Sequence, residues 1–156
     1  MYRGPLQCHA SGELSNADQS SCVQAVVDWY GPTDFLQMDQ EFIDSGSSCP
    51  ANHSEATSPE SQYMGFQITL NPEAVEKANP ITYVSSDDPP FFIQYGTADC
   101  TVSPQQNQLL YDALVPVIGA DNVTLTPLDG AAHGDPAFVS PSNLDLVLNF
   151  LNQRLK

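Results

Sequence analysis

"FFIQYGTADCTVSPQQ", Phe91 to Gln106, is the stretch on which the fold turns. It begins as a short apolar run, the pattern of a strand buried on both faces. The run breaks at Gly96, presents a single acid at Asp99 and restarts at Ser103. Serine is a good helix N-cap, and Pro104 suits the first helical position, where no intrahelical N–H is needed. From there Leu109, Leu110, Ala113, Leu114 and Val117 recur on one helical face, and Gly119 stops the helix. The segment therefore predicts a strand, an acid-bearing loop and a helix, in that order.

Two further runs repeat the pattern. "VQAVVDWY" from Val23 and "NVTLTPL" from Asn122 are rich in β-branched and aromatic residues. The second leads through a Gly-rich loop into "SPSNLDLVLNFLNQRLK", a helix opened by Pro141. Its predicted apolar stripe is Leu144, Val147, Leu148, Leu151 and Leu155. Strands alternating with helices predict an α/β fold with a short parallel sheet of about three strands flanked by helices. Residues 39–80 differ. "DSGSSCPANHSEATSPES" is small and polar and reads as loop, and "NPEAVEKANP" reads as a short helix capped by Asn71 with Pro72 behind it. An insertion this long is either a functional lid or excess loop.

Composition narrows the functional classes. The chain has 156 residues, enough for one domain with a real core, and residues 1–156 are taken as that domain. Asp and Glu number 19 against 4 Lys and Arg, for a net charge of −15. Such a chain cannot neutralise phosphates, which argues against nucleic acid and anionic membrane surfaces as partners. No apolar stretch approaches the roughly 20 residues that span a bilayer. The first 30 residues lack the apolar core of a signal peptide. Cys8, Cys22, Cys49 and Cys100 permit two disulfides in three possible pairings. No C-x-x-C pair occurs, so no zinc site is expected, and no other metal or cofactor. Several cysteines and few lysines lean toward a secreted protein.

In open parallel sheets the reacting groups collect in loops beyond the carboxyl ends of strands. Asp99 is in such a loop, and so is His133, in "LDGAAHGDPAF". A histidine there can act as a general base near neutral pH, and a carboxylate can fix its tautomer and stabilise the imidazolium. Alone, such an Asp is a common turn residue and such a His a common surface residue. The pair, each member after its own strand in the order Asp then His, is a more specific signal. Asp129 and Asp135 flank His133 and compete with Asp99 for it. Cys100, beside Asp99, serves packing or a disulfide that tethers the acid loop. Trp29 and Tyr30 are placed at the edge of the site, with Trp29 in the core.

"VQAVVDWYGPTDF", "NPITYVSSDDPPFFIQYGTADCTVSPQQNQLLYDAL" and "LDGAAHGDPAF" together resemble the C-terminal half of the α/β-hydrolase esterase/lipase family, in its feruloyl-esterase-like and dienelactone-hydrolase-like branch. The resemblance runs from about Leu14 to the end. "GTADCTVSPQQ" is similar to the family's acid loop, and "GAAHG" to its histidine loop, with Ala132 where glycine is usual. It implies a partial α/β-hydrolase fold, a carboxylic ester hydrolase acting on a small ester, Asp99 as triad acid and His133 as triad base. The family's nucleophile is a serine on a strand-to-helix turn, G-x-S-x-G, and this sequence contains none. Ser11, in "CHASGE", is the one substitute nucleophile considered, with Cys8 a thiol alternative, but no apolar strand precedes them. The resemblance leaves three readings open. One is an ester hydrolase by lineage. Another is a non-catalytic truncated or pseudoenzyme module that self-associates. The third is a site completed by a second copy or chain. The strand Val23 to Trp29 would lack its inner neighbour, so a homo-oligomer through that exposed edge is expected.

Overall fold

A computed structural model describes residues 22–155. Ser11 and Cys8, the two alternative nucleophiles, lie outside the described residues. The sheet has three parallel strands, β1 (Val26–Trp29), β2 (Phe91–Gly96) and β3 (Val123–Leu128), in that spatial order. Phe91 of the central strand stands opposite Val26 on one side and Val123 on the other. Between β1 and β2 lie α1 (Met38–Asp44), α2 (Pro59–Met64) and α3 (Pro72–Glu76); α4 (Pro104–Ile118) joins β2 to β3, and α5 (Pro141–Arg154) follows β3.

The period of two in β2 divides its side chains between the two faces. Ile93 packs with Leu110 and Leu114 of α4 and with Val123, while Phe92 packs with Val147 and Phe150 of α5. Helices thus cover both faces, which is why β2 carries large apolar side chains on both. Ser103 caps α4 through its side chain, Pro104 occupies the first turn, and Gly119 ends the helix at φ 88°, a left-handed value that suits glycine.

The predicted helix faces need correction. On α5 Val147 of the expected stripe is buried and Leu151 packs against the core, but Leu148 is 54% exposed and Asn143 and Phe150 are buried instead. The reason is polar. Gln94 points from β2 into the core, where its Nε2 donates to Asn143 Oδ1 at 2.6 Å. Asn143 Nδ2 donates back to Gln94 Oε1 at 3.0 Å and to the Phe138 carbonyl at 2.8 Å. Trp29 Nε1 donates to the same Gln94 oxygen at 2.8 Å. A buried amide without partners costs on the order of 1–3 kcal/mol, so this closed network sets the roll of α5. On α4, Leu110 and Leu114 are buried as expected, but Val117 is exposed and Gln106 and Asn107 are buried instead. Gln106 Oε1 accepts the backbone N–H groups of Thr33 and Asp34 at 2.8 and 2.6 Å, fastening the segment after β1 to α4. The first strand is also shorter than the predicted run: it begins at Val26, and Val23 is exposed.

Residues 39–80 hold more regular structure than the expected loop and single helix. Besides α1, α2 and α3 they contain 3-10 turns at Ile68–Leu70 and Pro80–Tyr83. Ile68 and Val75 of the segment share a core with Phe35 and Met38 before it and with Val102 of the acid loop. Each piece is too short to be stable alone, so its helices depend on this shared burial.

Candidate active site

The acid loop and the histidine loop are fastened to each other at the carboxyl end of the sheet. Thr97 N–H donates to the Leu128 carbonyl at 3.1 Å, and Ala98 N–H to the Ala131 carbonyl at 3.0 Å. Gly130 N–H donates to Thr97 Oγ1 at 2.8 Å. The approach is close enough to require Gly96: a Cβ there would overlap the Ala131 carbonyl oxygen and come within 2.7 Å of its carbon. Any side chain would push the two loops apart, which explains why the apolar run breaks at a glycine.

Within this frame Asp99 is 2% exposed. Its Oδ1 accepts the backbone N–H groups of Thr101 and Val102 at 2.7 and 3.0 Å, an Asx-type turn that opens toward α4. Its Oδ2 is 2.8 Å from His133 Nδ1. A carboxylate only accepts, so Nδ1 carries the proton and the neutral ring presents its lone pair at Nε2. The His133 side chain is 32% exposed against 1% for that of Asp99. A ring held in this way, with one nitrogen anchored to a buried carboxylate and its body in reach of solvent, can take a proton from a hydroxyl and be stabilised once charged. The competing acids are engaged elsewhere: Asp135 Oδ1 accepts Ala137 N–H at 2.8 Å, and Asp129 Oδ1 accepts from Thr97 Oγ1 at 3.3 Å.

Tyr30 has a larger part than its sequence position suggested. Its ring lies against His133, with centroids 4.4 Å apart, and meets Phe138 edge-on at 4.7 Å. Its backbone sits at φ 50°, the left-handed region that non-glycine residues enter at a cost of about 1–2 kcal/mol. Tyr30 N–H donates to the Gln94 carbonyl at 2.7 Å, which continues the β1–β2 ladder and fixes the turn that swings the ring onto His133. The only hint in the sequence was the glycine–proline pair directly after it. Trp29 lies in the core against Phe92 and Phe150.

A cavity of about 460 Å³ opens beside His133, bounded by Pro32, His53, Glu60 and Thr101. The insertion supplies much of its wall and is tied to the acid loop by a disulfide between Cys49 and Cys100, whose Cα atoms are 5.1 Å apart. Cys22 is disulfide-bonded as well. No helix among the described residues is long and apolar enough to cross a membrane.

On β1, burial pushes the Asp28 carboxyl above its ordinary value of 3.8, with the Gly31 N–H acting in the opposite direction. A folded-state value raised above the unfolded one means that ionisation disfavours the fold. The contribution is whole below pH 3.8 and is lost as pH rises through the raised value. Asp28→Asn, which keeps an oxygen for Gly31, is therefore expected to match the parent near pH 3 and to exceed its stability at pH 7. Urea unfolding at the two pH values checks this, and equal differences at both would contradict it.

Comparison with known proteins places the chain in a family. The Mycobacterium tuberculosis protein named Esterase LipC is 32% identical over 90 residues, which cover 55% of this chain and 22% of that protein. A truncated carbohydrate esterase from gut microbiota superposes with a TM-score of 0.72 at 29% identity, covering 91% of this chain and 46% of that one. A bifunctional GH43-CE protein of Bacteroides eggerthii gives a TM-score of 0.72 at 27% identity, covering 89% of this chain and 18% of that one. An acylaminoacyl peptidase of Pyrococcus horikoshii, 17% identical with a TM-score of 0.60, shares the fold. The chain thus spans less than half the length of each of these relatives. Residues 7–114, more than two thirds of the sequence, match the BD-FAE family, and the chain belongs to that family of α/β-hydrolase esterases.

Proposed function

We propose that this chain carries the acid and the base of a Ser–His–Asp carboxylic ester hydrolase. The observation that supports it is the 2.8 Å contact between buried Asp99 Oδ2 and His133 Nδ1. In this reading a serine hydroxyl placed near His133 Nε2 attacks the ester carbonyl. His133 takes the hydroxyl proton and returns it to the leaving alcohol, and Asp99 holds the ring in its Nδ1–H tautomer and stabilises the imidazolium. Similarity to a carbohydrate esterase and to Esterase LipC makes esters of carbohydrates the first substrate class to try. The sequence contains no G-x-S-x-G turn, so the serine belongs to a part of the enzyme beyond this sequence or to another chain.

A second reading is a self-associating module without catalysis. It is favoured by β1, which among the described residues pairs only with β2 and so presents an open ladder edge. One experiment separates the two. The 156-residue chain, and a form joined to a segment bearing G-x-S-x-G, are assayed on p-nitrophenyl acetate and on acetylated sugars while sedimentation reports their mass. The ester-hydrolase reading expects little or no turnover by the chain alone, no effect of Ser11→Ala, and turnover by the serine-bearing form. Robust turnover by the chain alone, abolished by Ser11→Ala, would overturn the assignment of the nucleophile. An inactive serine-bearing form beside a homodimeric chain would favour the module.

A further inference from the structure

A second histidine–aspartate pair stands behind the first. His53, between α1 and α2, is buried and stacks on Phe42 with ring centroids 5.5 Å apart at 20°. Its Nδ1 is 2.9 Å from Asp39 Oδ1, and its Nε2 is 2.9 Å from the Thr101 carbonyl oxygen. A carbonyl only accepts, so Nε2–H is the donor. Asp39 also takes the backbone N–H groups of His53 and Ser54 at 2.7 and 2.8 Å, which folds the chain around the ring. Burial pushes the Asp39 carboxyl up, but hydrogen bonds from Ser54 and His53 outweigh it and hold the group below its ordinary 3.8. Asp39 is therefore an ionised acceptor facing the ring, and both ring nitrogens meet acceptors.

The Thr101 carbonyl belongs to the same peptide unit as the Val102 N–H, and that N–H donates to Asp99 Oδ1 at 3.0 Å. The other Asp99 oxygen holds His133 at 2.8 Å. Hydrogen bonds therefore run without a break from Asp39 through His53, the 101–102 peptide and Asp99 to His133. Donation to the carbonyl end of a peptide orients that peptide and strengthens its N–H as a donor. Resting on the reading of Asp99 and His133 as the acid–base pair, we infer that His53 is a positioning residue for that pair, acting through the Thr101–Val102 peptide, with Asp39 orienting its ring. The insertion then has a part in the site: it supplies the clamp on the acid loop, beside the Cys49–Cys100 disulfide.

The test uses two variants with opposite properties. His53→Phe keeps an aromatic ring against Phe42 and loses the donor. His53→Gln loses the ring and keeps an N–H that reaches the carbonyl. Amide hydrogen exchange and the Nδ1–H proton resonance of His133 are read by NMR on the whole chain, so neither readout needs catalysis. His53→Phe is expected to speed exchange at Thr101 and Val102 by about tenfold, the effect of one lost hydrogen bond. Exchange at Ile93 and Gln94 in β2 stays unchanged, and the His133 Nδ1–H signal broadens. His53→Gln is expected to restore both. The inference is overturned if His53→Phe leaves Val102 and the His133 signal as in the parent. It is also overturned if exchange rises equally in β2, or if Gln fails where Phe succeeds, since those patterns mean packing alone. Should His53→Phe fail to fold, Asp39→Asn takes its place: loss of Val102 protection supports the inference and parent-like protection refutes it. Failure of the ester-hydrolase reading is distinguishable, because the serine-bearing form would then be inactive while these signals still respond to His53.

Discussion

In a serine-bearing form of the protein, His133→Ala is expected to lower kcat on a short acyl ester by about 10⁴-fold to 10⁶-fold, and Asp99→Asn by about 10⁴-fold, magnitudes measured for triads of other hydrolases. The two substitutions act differently. Alanine removes the group that takes the serine proton, so attack relies on water. Asparagine keeps the shape of Asp99, but its Nδ2 cannot accept from a ring nitrogen. If the amide oxygen stays with the N–H groups of Thr101 and Val102, the amide nitrogen faces His133 and donates to it. That contact favours the tautomer with its lone pair at Nδ1 and its proton at Nε2, the wrong one for a base. The double variant is expected to fall little below His133→Ala alone, because residues that work as a unit are not additive. Steady-state kinetics check all three. Full activity in Asp99→Asn would remove Asp99 from the mechanism and return Asp129 or Asp135 to consideration.

The second large effect concerns the disulfide. Cys49 and Cys100 are 51 residues apart, and closing a loop of that length lowers the entropy of the unfolded chain by an amount worth about 4 kcal/mol in the loop-entropy account. Against the roughly 5–15 kcal/mol that holds a domain together, that is a large share. Replacing both cysteines by serine is expected to reduce unfolding free energy by about that much, read from urea midpoints under non-reducing conditions. Adding reductant to the parent should lower stability at least as much, because it also opens the bridge at Cys22. The bridge enters the acid loop at the residue after Asp99, so its loss should also loosen the turn made by Thr101 and Val102. A loss below about 1 kcal/mol would mean that the unfolded chain is already constrained across this loop, or that strain in the bridge offsets its gain.

The strand–acid–helix order was legible in the sequence because each step is a local event. Phe91, Phe92, Ile93 and Tyr95 place large apolar or aromatic side chains on both faces of Phe91–Gly96, so the strand had to be covered on both sides. Serine and proline at 103 and 104 satisfy the first turn of a helix wherever it is built, and the same holds for Asn71 with Pro72. The order Asp99 then His133, each after its own strand, likewise needed only neighbours in the chain to be read.

What the tertiary structure decided is what depends on partners distant in sequence. Leucine periodicity placed Val147 and Leu151 of α5 correctly but put Leu148 inward and missed Asn143, because the deciding contact is Gln94 with Asn143, 49 residues apart, and a buried amide outweighs a leucine that can stay at the surface. Gln106 was invisible as a core residue for the same reason: its partners are the backbone N–H groups of Thr33 and Asp34, which no pattern of side chains announces. The polar stretch around His53 is loop, as read, but the burial of the ring was not legible, since a histidine counts as apolar or charged only once its neighbours are known. Its neighbours are Asp39, fourteen residues earlier, and the Thr101 carbonyl, forty-eight residues later. Local signals determined which elements form and in what order. Long-range satisfaction of buried polar groups decided which faces they turn inward and what stands behind Asp99.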